Sequence, residues 1–275
     1  MGYMSKQGRR PPEYASKAAH RFVINDPDVR AFLDNCTLPR RSADVSFEDM
    51  PLFSAEEMDI NPIKYIIAID GGYSEVVVQH DFPSAQIAFF QFGALQFSVK
   101  DLENLGTVPF IDPDDIQKLK NIERLKFAIP TKNISYKHGD LVTSVRRNIH
   151  EFFLGHPDGS TFLETLKWLI FREYSVPRDE WILGSCPASD GIEHHPARLA
   201  RSGMGQECVF KCDHCGADIY LTDVFRLHEA IDNEQGAGGI LGYLMTTLEQ
   251  MLLVHLIRLM LEKMPGLLGQ VMFIK

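Results

Sequence analysis

The sequence predicts an α/β fold: a mixed β-sheet flanked by helices, with an N-terminal helical arm and a cysteine-rich insertion. Three observations carry this. Residues 64–70 (KYIIAID) form a near-continuous apolar run that suits a central strand buried on both faces. Two further runs rich in aromatic and β-branched residues follow closely, at residues 75–80 and 85–99, as antiparallel neighbours would. Long stretches of helical periodicity then occupy most of the remaining chain.

Residues 1–12 are polar, basic and end in Pro-Pro, and read as a loose tail. They contain no apolar core of a signal peptide. Residues 15–35 show helical spacing, which Asp26-Pro27 splits into two short helices. Residues 42–61 are acidic and irregular, a connector or partner-binding arm. We therefore expect an arm over residues 1–61 and a main domain over 62–275, with the insertion at about 181–220. In the main domain, helices are expected over 112–124, where carboxylates open the run, and over 140–154 and 159–173. Thr222 is expected to cap a short helix through Ala230. A long apolar helix covers 239–264, and residues 270–275 (QVMFIK) read as a strand.

The long helix is interrupted by Glu249, Gln250, His255 and Arg258, so it does not read as a membrane span, and a cytoplasmic location is expected. The formal charge of −9 excludes tight capture of duplex nucleic acid by bulk electrostatics. A protein of this charge that acts on nucleic acid needs metal ions, a local basic channel or a basic partner.

Asp70 ends the first apolar run and is followed by Gly71-Gly72. Asp-Gly is a common turn dipeptide, which gives an ordinary structural reading. The functional reading is a metal ligand held on a rigid strand, with glycines that let substrate approach the backbone. Glu249 lies on an apolar helix face beside Met245, Leu252 and Leu253, so it needs a buried partner or a metal. Glu262, near Arg258 and Lys263, reads as a solvated charge. Together Asp70 and Glu249 are candidate ligands for Mg²⁺ or Mn²⁺, which take oxygen donors and promote phosphodiester hydrolysis.

Four of the five cysteines fall between Cys186 and Cys215. In a cytosolic protein this clustering favours metal over disulfides. Cys212-Asp-His-Cys215-Gly216 is a zinc-knuckle pattern. Cys186 is the next ligand, and Cys208 completes a four-cysteine set, with His194 or His195 as the alternative fourth donor. Four protein ligands make a closed, structural site, whereas reduced thiols without metal are the plain reading. Cys36 stands apart in the arm. Arg146-Arg147, on a helix, is the best basic pair for contact with DNA, although such pairs are usually solvated surface.

The order of these features resembles the NurA nuclease family. The matching pieces are IIAIDGG at 66–72, the strands after it, the cysteine-containing insert running into IYLTDVFRLHE at 219–229, the helix around Glu249, and the VMFIK strand. The resemblance implies an RNase H-like nuclease domain, Mn²⁺-dependent DNA cleavage, a homodimer, and work with a hexameric HerA-type ATPase in DNA end processing, repair or anti-phage defence. By it, Asp70 matches the first acidic motif and Glu249 the helix acid. A second Asp-Gly motif is expected directly after a strand such as VMFIK, and the sequence stops at Lys275 before it. Gly71-Gly72 departs mildly from the Gly-Ser expected there.

Two rivals remain at this level. Phosphotransferases of the actin and sugar-kinase type also use an Asp-Gly-Gly turn, but they need a second phosphate loop, for which residues 236–239 (GAGG) are the sole glycine-rich candidate. The other rival is an inactive nuclease-like subunit that docks an ATPase.

Overall fold

A computed structural model describes residues 26–37, 40, 44, 61–100, 120–155, 159–188 and 195–275. The chain divides into two compact units, Met1–Met58 and Asp59–Lys275. In the first, helix α1 (Pro27–Asp34) begins where Asp26-Pro27 places it. The Asp26 carboxylate accepts from the backbone N–H groups of Asp28 (2.9 Å) and Val29 (3.3 Å), and Pro27 needs no donor there. The expected preceding helix and most of the acidic connector lie outside the described residues.

The second unit is built on a mixed four-stranded sheet. Its strands are β1 (Tyr65–Gln79), β2 (Ala85–Ser98), β3 (Lys120–Lys132) and, further along the chain, β8 (Val271–Ile274). The order is β3-β2-β1-β8. β1–β2 and β2–β3 are antiparallel, while β8 runs parallel to β1, Tyr65 opposite Val271. Between β3 and β8 come α2 (Leu141–Phe153), α3 (Phe162–Ile170), the hairpins β4 (Glu180–Leu183)/β5 (Ala197–Ala200) and β6 (Val209–Lys211)/β7 (Asp218–Tyr220), α4 (Leu241–Lys263) and the short α5 (Pro265–Leu268). Among the described residues, α2 packs on β3, and α4 packs on β1 and β2.

Alternation decides which side chains face these helices. Ile67 and Ile69 of β1, Ala88, Phe90, Phe92 and Ala94 of β2, and Phe127 and Ile129 of β3 are buried. Phe153, Phe162 and Phe171, with at most 1 % exposure, extend this core across the helices. Each such ring stabilises the fold by about 1.5–3 kcal/mol through apolar burial. Helix entry is set by side-chain caps. Asp140 accepts from the Thr143 N–H at 2.7 Å to start α2. Thr161 and Glu164 form a reciprocal capping box at α3, 2.9 and 3.0 Å. α4 is long and apolar enough to cross a membrane by length and composition, but most of that stretch is buried within the fold, as a core helix is.

Four expectations are corrected. First, β1 does not stop at Asp70 but continues through Gly71-Gly72, which pair with Phe92 and Gln91. Second, β1 is not buried on both faces: Ile66 and Ala68 are half-buried and Asp70 is exposed. Third, residues 120–124 of the expected helix 112–124 belong to β3, and the rest lies outside the described residues. The period of two in Arg124, Leu125, Lys126, Phe127, Ala128 and Ile129 outweighs the carboxylates upstream. Fourth, Thr222 caps nothing. It is buried inside a 3₁₀ turn, Leu221–Phe225, whose N-terminus is closed by Asp223 accepting from the Tyr220 N–H at 2.8 Å. In the 236–239 glycine run, Gly236 serves packing: it has φ +108°, and a Cβ there would lie 2.7 Å from the Thr131 carbonyl oxygen.

Candidate functional site

Asp70 projects from the sheet face opposite α4. Its neighbours Ile69 and Gly71 point toward that helix, and a Cβ on Gly71 would lie 2.6 Å from both Met245 Cε of α4 and Phe92 Cβ. Gly71 is thus a packing glycine. Gly72 differs: it shares the face of Asp70, and a Cβ there would meet nothing within 4 Å. The cross-strand partner of Asp70 is Gly93, whose own partner on β3 is Arg124. The row therefore reads acid, glycine, cation. Asp70, Gly72, Gln91, Gly93 and Arg124 line one open depression of about 550 Å³. Asp70 is the carboxylate in that lining, and it makes no hydrogen bond or ion pair among the described residues. Such an oxygen donor suits a hard cation, and the glycine floor leaves room for a bulky anion beside it.

The structure does not bring Glu249 to Asp70. Glu249 lies on α4, across the sheet, with its side chain 12 % exposed and its Oε2 3.3 Å from Lys275 Nζ at the end of β8. The apolar helix face seen in the sequence is the face packed on the sheet, and the partner that face demanded is a lysine. Glu262 pairs with Arg258 at 2.8 Å, as a surface carboxylate would.

Arg146 does not face solvent or nucleic acid either. It is buried on α2, donating from Nε to Asp223 Oδ1 (2.9 Å) and from Nη2 to Asp223 Oδ2 (2.7 Å) and the Asp218 carbonyl (2.9 Å). Burial works against its charge, but Asp223 outweighs that and holds the guanidinium above its ordinary pKa. Arg147 is half-buried and donates to the Lys137 carbonyl at 3.2 Å.

The cysteine cluster forms from the tips of the two small hairpins. Cys186 follows β4, His195 precedes β5, and Cys212 and Cys215 flank the β6–β7 turn. Gly216 takes φ +73°, which closes the knuckle so that its N–H reaches the Cys212 carbonyl at 2.9 Å. The donor atoms of Cys186, His195, Cys212 and Cys215 all lie within 4.8 Å of one another, a set that could hold a metal ion. Cys186 Sγ and Cys215 Sγ are 3.7 Å apart, and His195 Nε2 and Cys212 Sγ 3.3 Å. A tetrahedron with zinc–sulfur bonds of about 2.3 Å has edges of about 3.8 Å. Burial pushes the Cys186 thiol up to about 12. Burial also opposes the Cys212 thiolate, but backbone N–H groups of Cys215 and His214, with His195, bring it down to about 6. His214 stacks on His195 at 4.2 Å. The fourth member of the donor cluster is therefore His195, the alternative the spacing left open. Cys208 is not in the cluster: it precedes β6 with φ +55°, half-buried on the core side. His194 lies outside the described residues.

Residues 64–260 match the NurA domain family. The chain belongs to the NurA family. No curated protein and no solved structure matches it. NurA proteins are nucleases that act on DNA and associate with a partner, and the matched region spans Asp70, the Cys₃His cluster and Glu249. In this NurA chain, sequence reasoning missed Arg124 and Gly93. The cation alternation Arg124, Lys126 was the signal for the first. Gly93 acquires meaning only through its register with Asp70.

Proposed function

We propose that this chain is a Mn²⁺- or Mg²⁺-dependent deoxyribonuclease with an RNase H-like sheet, cutting DNA on the open sheet face at Asp70. The observation that carries the reading is the exposed Asp70 carboxylate, without a partner among the described residues, between Gly72 and Gly93 in a NurA domain. Asp70 would hold the ion jointly with phosphate oxygens of the substrate, since such ions bind through one or two carboxylates plus phosphates. When bound, the ion supplies Lewis-acid activation of the phosphodiester. The chain's own part is to orient: β1 fixes Asp70 on a rigid strand, and the glycines let the backbone phosphate come close. Glu249 stays outside this reading and ties β8 to α4 through Lys275.

The Cys₃His cluster is read as a structural zinc site, closed to substrate by its four protein donors. The partner is a HerA-type hexameric ATPase, with the nuclease as a homodimer in the cytoplasm, in DNA end processing, repair or anti-phage defence. The net charge of −9 supports delivery of DNA by such a partner over unaided capture. A second reading, a nuclease-like docking subunit without activity, is favoured by Asp70 being the single carboxylate among the described residues that line the depression. The deciding experiment measures Mn²⁺-dependent cleavage of linear DNA by the protein with its ATPase. Asp70→Ala is expected to abolish it, and undiminished cleavage by that variant sinks the assignment.

A further inference from the structure

We propose that Arg124 and Lys126 hold successive phosphates of a single nucleic-acid strand laid along β3 on the open face of the sheet. The proposal rests on the reading of the Asp70 face as the substrate site, and assigns the residues that grip substrate there. Both side chains are exposed on β3, two residues apart and so on one face. Register fixes which face: Arg124 pairs with Gly93, itself opposite Asp70, and Lys126 pairs with Gln91, itself opposite Gly72.

The spacing suits the ligand. Residues two apart on a strand are separated by about 6.7 Å, close to the distance between neighbouring phosphates of an extended single strand. Two inter-strand steps, about 9.6 Å, separate β3 from β1, and the intervening position is Gly93. Among the described residues, the strand position between a phosphate held by Arg124 and Asp70 therefore carries no side chain. Neither cation has an ion pair among the described residues, whereas most other arginines of this unit do: Arg146, Arg198, Arg201, Arg226 and Arg258 all face carboxylates. A guanidinium fork matches phosphate oxygens two at a time. Phe89, on the same face and 37 % exposed, offers a ring for an unpaired base to stack on. In a chain of net charge −9, two cations without an ion pair among the described residues, beside a glycine floor, form a local attractive field.

The test is fluorescence anisotropy of a labelled 20-nucleotide single-stranded DNA with the full chain, without added divalent metal, across a salt series. The Arg124→Ala/Lys126→Ala variant is expected to bind about tenfold or more weakly, with the slope of log K against log salt reduced by about 1.4, two contacts at about 0.7 each. Arg124→Lys should keep the salt slope, since the charge remains, and fall between the unaltered chain and the double variant in affinity, since the fork is lost. A wild-type Kd and slope in the double variant overturn the proposal, as does no measurable binding by the unaltered chain. Asp70→Ala separates the two readings. If it cleaves normally while the double variant loses binding, the phosphate track stands and the catalytic assignment falls. If it fails to cleave while the double variant binds normally, the reverse holds.

Discussion

Arg146 and Asp223 form a two-pronged ion pair inside the protein, at 2.9 and 2.7 Å, with side chains 8 % and 2 % exposed. It joins α2 to the turn that follows β7, and so couples the sheet-bound helices to the hairpin region. Removing one partner leaves the other charged and buried. Asp223→Ala is expected to lower unfolding free energy by about 3–5 kcal/mol in urea titrations. A change under about 1 kcal/mol would show that water takes over the role of Asp223.

Metal analysis of protein purified without chelator should find one zinc per chain. Cys215→Ser should lose it, and Cys208→Ser should keep it, because Cys208 lies apart from the four donors. Chelation should lower the melting temperature by roughly 5–10 °C, a few kcal/mol for a domain of this size.

Gly71 and Gly72 should respond differently to the same small change. Gly71→Ala places a methyl 2.6 Å from Met245 Cε and Phe92 Cβ, and is expected to cost about 1–3 kcal/mol. Gly72→Ala meets nothing within 4 Å and should leave stability within about 0.5 kcal/mol. Equal losses in chemical denaturation would contradict the assignment of the two faces.

His150 and His228 are held below the ordinary histidine value of 6.5, in each case chiefly by burial. Above pH 6.5 both rings are neutral in the folded and unfolded chain, so their contribution is on its plateau. As pH falls through 6.5 the unfolded chain takes up protons that the buried rings resist, and stability drops. The expected loss is on the order of 1–2 kcal/mol between pH 7 and pH 5, and His228→Gln should flatten it. An unchanged slope in that variant would remove His228 from the account.

The elements were legible where local chemistry and periodicity agreed. Asp26-Pro27, Asp140 and the Thr161/Glu164 pair mark helix starts in one dimension, and each is used so. The pairing of Cys212 with Cys215 was legible because the two cysteines share a turn. The choice between Cys208 and His195 was not, since two hairpins must fold before the tips meet. The partner of Glu249 was not legible for a related reason. A carboxylate on an apolar helix face signals a required partner, but its identity depends on which strand lies alongside, here β8 with Lys275. Asp70 was legible as a residue of interest. Its surroundings were not, because Gly93 and Arg124 reach it through strand register.

The parallel pairing of β8 with β1 joins Tyr65 to Val271, strands separated by every described helix of the main unit and both small hairpins. On the ribosome, β1, β2 and β3 emerge long before β8 exists. For that interval the β1 edge has unpaired amides and carbonyls and offers a template to any extended chain nearby. Until β8 forms, aggregation through that edge competes with folding, and yield is expected to fall with temperature more steeply than the final stability suggests.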